Sequence, residues 1–235
     1  MKRFWSNAEA TRDAEGWRIL LDGKPLRVPG GGALQVPTAS LAQAVAAEWQ
    51  QAGGGPGGEA GPGDLLLTSL ANTAQKRVAA QQEAIALELA RYGETDLLCY
   101  RATGPQALIE RQHASWQPWL DWAADTLGAR LRTTAGIVHL PQDPAALAAI
   151  AAAVARQDVP GLTALGVLVP ALGSVVLALA VLEGALDAEA AHLLSILDEL
   201  YQAEFWHDDD EALERRRLIG RDVAAAVEFA SLARA

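Results

Sequence analysis

The chain has 235 residues, 51% hydrophobic and 20% charged, with 29 acidic against 19 basic side chains and a formal net charge of −10. That balance supports a buried core and excludes a disordered chain. It also argues against nucleic acid or an anionic membrane as partner, because both need a concentrated basic surface, and the longest basic run is Arg215-Arg216-Arg217. Cys99 is the one cysteine, so neither an internal disulfide nor a four-thiolate zinc site can form. Met1 to Asn7 carries two basic residues with no apolar stretch of signal-peptide length behind them, and a reducing, cytoplasmic setting is expected.

Glu15 to Val28 reads as a hairpin: Trp17, Ile19 and Leu21 alternate with their neighbours, Asp22-Gly23 supplies the turn, and Leu26 and Val28 continue the return strand. A third short strand is expected over Ala33 to Val36. Thr38 then caps a helix with apolar positions Leu41, Val45, Ala46 and Trp49. Gly53 to Gly63 is a Gly/Pro-rich loop. Its formal G-x-G-x-x-G match follows a helix and runs into Pro62, whereas a dinucleotide loop follows a strand and opens a helix.

From Thr68 onward the chain reads as helix. Thr68 to Tyr92 is one expected helix stopped by Gly93, and others run from Pro105 towards Trp116 and over 143–156, 187–206 and 208–232. Val159 to Leu182 contains no charged residue and is long enough to span a bilayer. Pro160, Gly161, Gly166, Pro170 and Gly173 interrupt it, and basic flanking anchors are missing, so two short buried helices meeting near Pro170 are expected instead. The fold class is α+β: a small N-terminal α/β domain, residues 1–85, with a short antiparallel sheet plus helix, then a larger all-α orthogonal bundle, residues 86–235.

The four histidines are scattered, and no H-E-x-x-H pattern, G-x-S-x-G elbow or Walker loop occurs. No catalytic residue, metal site or cofactor is therefore expected, and the chain does not read as an enzyme. His207-Asp208-Asp209-Asp210-Glu211 could offer oxygen ligands to a cation. Asp208 and Glu211 equally have capping-box spacing at a helix start. Trp116, Trp119 and Trp122 recur at intervals of three, as core or as partner surface. On the 187–206 helix, Leu193, Leu197, Leu200 and Tyr201 form the expected buried face. Glu199, Gln202 and Trp206 share another side, where an aromatic beside an acid and an amide has the make-up of an interface hot spot. Glu204 falls among the apolar positions and is expected to be buried against Arg101 or one of Arg215 to Arg217.

Several runs together carry a resemblance. They are Leu21-Asp22-Gly23-Lys24-Pro25-Leu26, Leu34 to Thr38, Glu48-Trp49, Leu70 to Ala74, Asp96 to Ala102, and Gly173-Ser174 with Leu177 to Ala180. Leu197-Asp198-Glu199, Tyr201-Gln202, Glu204, Trp206, Asp209 and Glu211-Ala212 complete them. In this order, over nearly the whole chain, the sequence resembles the ATP synthase assembly chaperones, the mitochondrial chaperone of the F-type ATPase alpha subunit and its alphaproteobacterial relatives. His207 stands where that family usually has glycine, Val28 where it has threonine, and the Gly53 loop is expanded. The resemblance implies a chaperone that holds an unassembled alpha subunit until beta displaces it; the lack of a transit-peptide pattern and a composition rich in Ala, Gly and Arg lead us to expect a bacterial cytoplasm rather than a mitochondrial matrix. Its expected partner-binding residues are Asp198, Glu199, Gln202 and Trp206, with Glu204, Asp209, Glu211, Trp49 and Asp96. Two alternatives are a small enzyme using Asp198, Glu199 or Glu204 as acid or base, and a membrane-associated protein using the 159–182 run. The interrupted run gives a first expected outcome: recovery in the detergent-free soluble fraction, against which recovery only from membranes would count.

Overall fold

The alternating run Trp17-Arg18-Ile19-Leu20-Leu21 becomes the central strand of a four-stranded antiparallel sheet in a computed structural model, which describes residues 1–14, 16–29, 31–55, 57–206 and 209–235. β1 (Ala8–Asp13) pairs along one edge of β2 (Gly16–Leu21), from Ala8 opposite Leu21 to Asp13 opposite Gly16. β3 (Lys24–Pro25) and β4 (Gln35–Val36) pair along its other edge, with Leu20 opposite Pro25 and Trp17 opposite Val36. Asp22 and Gly23 both take positive φ, 49° and 77°, the mirror-image turn whose twist suits a two-residue hairpin. The hairpin expected from the sequence is present, but it is the second of two. β1 was not expected, because Ala-Glu-Ala-Thr-Arg-Asp has no large apolar side chain to mark an alternation.

α1 (Ala39–Gln51) lies on β1 and β2, capped by the Thr38 hydroxyl, which accepts from the Leu41 N–H at 3.1 Å. Its buried stripe is Leu41, Ala42, Val45, Ala46 and Trp49. Trp5 packs on Trp49 at 4.7 Å between ring centroids and donates its Nε1–H to the Trp49 carbonyl. Buried Arg3 donates to the carbonyls of Trp5, Gln50 and Ala52, so its charge is met by backbone dipoles.

Helices α2 (Leu66–Thr73) and α3 (Gln82–Ala90) replace the single expected helix over 68–92. A wider turn, in which the Ala79 N–H reaches the Ala74 carbonyl, precedes the break. α4 (Gln106–Trp122), α5 (Pro144–Ala155), α6 (Val159–Leu172), α7 (Val175–Leu182), α8 (Ala188–Ser195), α9 (Leu197–Ala203) and α10 (Asp210–Leu232) follow. Tyr100–Arg101 (β5) and Thr134–Ala135 (β6) form a short parallel pair that the all-helical reading did not contain; two-residue strands carry no period to detect. The expected single helix over 187–206 divides at Ile196, whose φ of −106° and ψ of 18° leave the helical region.

The charge-free run does form two helices, but they meet at Gly173-Ser174, while Pro170 lies inside α6. Gly173 supplies the left-handed φ of 62° that ends α6, and the Ser174 hydroxyl accepts from the Leu177 N–H to start α7. Val175 to Val181 are all buried, and α7 packs against α4, α5 and α8, which explains the absence of charge without a bilayer. Among the described residues no helix is long and apolar enough to cross a membrane.

Two compact units result. Met1–Gln82, Val159–Ala164 and Ala225–Ala235 form the first; Glu83–Asp158 and Leu165–Ala224 form the second. The helix core of the second is tied by Asp96, which has no exposure to solvent. Its carboxylate accepts from the Leu98 N–H at 3.0 Å, the Ser174 hydroxyl at 3.0 Å and the Val176 N–H at 3.1 Å. The Leu97 N–H bonds the Gly173 carbonyl alongside. Burial pushes the Asp96 carboxyl up to about 6 despite these bonds. A folded-state value above the unfolded one contributes stability that is fully present below the unfolded 3.8 and is lost as pH rises through about 6. We therefore expect Asp96→Asn to abolish this slope, so that the parent's stability relative to the variant falls by on the order of 3 kcal/mol between pH 3 and pH 7. Asp96→Ala, which leaves buried donors unpaired, should melt lower than the parent at every pH; melting curves of all three across that range check both outcomes.

Candidate partner-binding surface

The residues expected on the 197–211 stretch fall into tethered and projecting groups. Asp198 is half-buried and accepts from Gln112 Nε2 at 2.8 Å, while Gln112 Oε1 takes the Ala102 N–H, also at 2.8 Å. Gln112 is itself buried in α4, so Asp198 fastens α9 to α4 before it can do anything else. Glu199 pairs with Arg215 at 3.0 Å and Arg216 at 3.2 Å, both from the first half of α10. Gln202 is exposed, and beyond it Phe205 and Trp206 are 68% and 77% exposed. Tyr201, buried beneath, holds Phe205 at 5.3 Å between ring centroids.

Glu204 is not buried. It stands 49% exposed and pairs through both oxygens with Arg111 of α4, rather than with Arg101 or Arg215 to Arg217. That bond holds the Glu204 carboxyl below its usual range. The expectation treated 187–206 as one helix, and the break at Ile196 rotates everything after it relative to the apolar stripe before it. Leu193 moves likewise: expected on the buried face, it is 47% exposed. Arg101 instead lies over the Trp116 ring at 5.4 Å and donates to the carbonyls of Leu98 and Gln112.

Trp49 and Asp96, expected among the partner-binding residues, are buried within their own units, Trp49 at 6% exposure and Asp96 at none. Trp49 Nε1 donates to the Thr68 hydroxyl at 2.8 Å, and that hydroxyl donates to Glu48 at 2.6 Å. Glu48 also takes the Leu67 and Thr68 N–H groups, so the Glu48-Trp49 pair caps α2. Both residues are kept by the fold. Asp209 accepts from the Ala212 N–H at 2.7 Å and thereby caps α10, beside exposed Glu211. The capping role proposed for Asp208 and the cation reading that includes His207 concern positions outside the described residues. Among the described residues no cluster of histidine, cysteine and carboxylate side chains could hold a metal ion.

What the sequence reading missed is a groove of about 400 Å³. Arg111, Ser115 and Trp119 of α4 form one wall; Leu186, Ala190, Leu193 and Leu194 form the other; Leu197 and Leu200 of α9 complete the lining. The signal was present as a stripe at steps of four on α4, 111-115-119, and a shorter one at steps of three and four on α8, 190-193-194; Leu186 precedes α8 and Leu197 follows the break at Ile196. The tryptophan series then resolves by position. Trp116 is buried with Nε1 bonded to the Leu194 carbonyl, Trp119 lines the groove, and Trp122 is half-buried.

The comparisons define the class as a chaperone. Residues 2–124 match the family model of the ATP12 chaperone protein. The mitochondrial protein atp12 of Schizosaccharomyces pombe is 27% identical over 225 residues, 91% of this chain and 76% of that protein. The crystal structure of Atp12 from Paracoccus denitrificans superposes with a TM-score of 0.90 at 43% identity, covering 99% of this chain and 98% of that one. The Atu1473 protein of Agrobacterium tumefaciens matches with a TM-score of 0.90 at 38% identity, over 98% and 85%. The chain belongs to the ATP12 chaperone family.

Asp198 in α9 and Glu204 just beyond its end should separate on mutation. Asp198→Ala strands a buried Gln112 amide, worth about 1–3 kcal/mol, and should lower the melting temperature by about 2–10 °C. Glu204→Ala breaks an exposed pair and should move it by no more than about 2 °C. Thermal melts of the two variants beside the parent check the order.

Proposed function

We propose that the protein binds the unassembled alpha subunit of an F-type ATP synthase in the cytoplasm and shields it from aggregation until beta takes over its assembly face. The observation that carries this reading is the pair Phe205-Trp206, exposed at 68% and 77% at the end of a helix tethered by Asp198. Exposing two large aromatics side by side is unfavourable for an isolated protein, and a partner that covers them recovers that free energy. Membership of a chaperone family and the earlier resemblance to alpha-subunit chaperones supply the client class.

Such work needs no chemistry and no cofactor. It needs an affinity high enough to hold the client and low enough for beta to displace the holder. In this reading exposed Asp209 and Glu211 supply the negative charge that follows the aromatic anchor and speeds encounter with a basic client face, Gln202 offers a neutral amide, and Glu199 and Glu204 are already paired with arginines. Trp206 slows dissociation. Asp198 contributes by fixing the helix, and the acid–base alternative is not favoured, since Asp198 and Glu204 are each held by a neighbouring side chain.

The test is suppression of alpha-subunit aggregation followed by light scattering. The double variant Phe205→Ala with Trp206→Ala should keep the parent's melting temperature within about 2 °C, since neither side chain is buried. It should need several-fold more protein for equal protection, and added beta should release the client from the parent. Undiminished protection by a folded double variant would remove this surface from the reading.

A further inference from the structure

The groove and its electrical surroundings define what can occupy it. Along α4 its wall runs from Arg111 to Trp119, eight residues or about 12 Å of helix axis, which matches about two turns of a second helix laid alongside. Apart from Ser115 and Arg111 the lining is aliphatic or aromatic, and the Arg111 charge is already taken by Glu204. The stretches 106–122 and 186–206 that build the groove carry seven carboxylates, Glu110, Asp121, Asp187, Glu189, Asp198, Glu199 and Glu204, of which Glu204 is paired with Arg111 and Glu199 with Arg215 and Arg216 of α10. Glu110, Asp121, Asp187 and Glu189 are exposed. Glu110, Asp121 and Asp187 bond neutral donors, the amides of Gln106 and Gln117 and the Ala190 N–H, so those bonds do not cancel their charge.

We infer that this groove seats an amphipathic helix of the client, its apolar face against Trp119, Leu193 and Leu197 and its flanks lined with lysine or arginine. This rests on the reading of the protein as an alpha-subunit chaperone and adds the segment class that it grips. Helix-in-groove recognition uses anchors at steps of three and four, the steps that the groove's own stripes present. The acidic surroundings select among apolar helices: an acid-flanked one meets like charge at Asp187 and Glu189 at the start of α8, while a basic-flanked one is drawn in and held. The Phe205-Trp206 pair then covers a further part of the same client.

Two substitutions test the seat. Ala190→Trp fills it, and Leu193→Lys places a cation against the basic flanks of the occupant. Leu193 is 47% exposed and Ala190 half-buried, so both variants should melt within about 3 °C of the parent. Each should raise the concentration needed for half-maximal protection of the alpha subunit at least tenfold. If Ala190→Trp does not fold, Leu193→Lys decides the matter alone. The occupant is identified with Ser115→Cys carrying a photo-crosslinker; Cys99 is buried with its thiol pushed up to about 12, so the label goes to the new site. Cross-links should fall in a client helix flanked by lysine or arginine. Full protection by folded groove variants overturns the seat while leaving the chaperone reading intact, as do cross-links to a second copy of this chain or to an extended or acidic client segment. A parent that fails to protect the alpha subunit overturns the client assignment and the seat with it.

Discussion

A carboxylate with no contact with water, Asp96, gathers donors from two stretches of chain almost eighty residues apart, and the helical unit is organised around that junction. Removing a carboxylate from water is unfavourable unless its lone pairs are met, and here the Leu98 and Val176 N–H groups and the Ser174 hydroxyl meet them at 3.0–3.1 Å. The same bonds fix where α7 begins, because the Ser174 hydroxyl that donates to Asp96 also accepts from Leu177. With its start fixed, the uniformly apolar α7 can be buried on every side with no polar residue of its own to set its register. The specificity of this core is therefore held at one polar point at its edge.

Much of this was legible along the chain, and the limits have physical causes. The Asp22-Gly23 turn, the Thr38 cap and the α1 stripe were readable because each depends on residues within one or two turns of one another. The α+β division followed from where alternation gives way to helical spacing. β1 and the β5–β6 pair escaped because a strand of small or polar residues, or of two residues, has no period. The break at Ile196 escaped because neither glycine nor proline marks it, and with it went the placement of Glu204 and Leu193. Resemblance alone could not tell Trp49 and Asp96, kept for the fold, from Trp206, which leaves its ring in solvent. Only tertiary partners make that distinction.

The candidate surface carries apolar side chains in solvent without collapsing onto them. Tyr201 is buried in α9 while Phe205, in the turn that follows it, is exposed, and Arg111 lies over Tyr201 at 5.0 Å while pairing with Glu204. Polar clamps from α4 thus fix both ends of α9: Gln112 on Asp198 near its start, and Arg111 on Glu204 at its close. A helix of seven residues has too few internal bonds to persist unaided, so its aromatic tip stays in position only while those clamps hold. Rigid presentation lowers the ordering entropy lost on binding.

The division of α6 and α10 between the two units bears on how the chain is made. Residues 159–164 and 225–235 belong with the N-terminal sheet, and the Thr38 hydroxyl donates to the Leu232 carbonyl. Translation delivers residues in order, at about 5–20 per second, so the sheet and α1 emerge long before the segments that complete their unit. A nascent chain halted anywhere before residue 225 holds a sheet and helix still lacking one of their packing partners. A member of a chaperone family thus leaves part of its own first unit uncovered until residues 225–235 have been made.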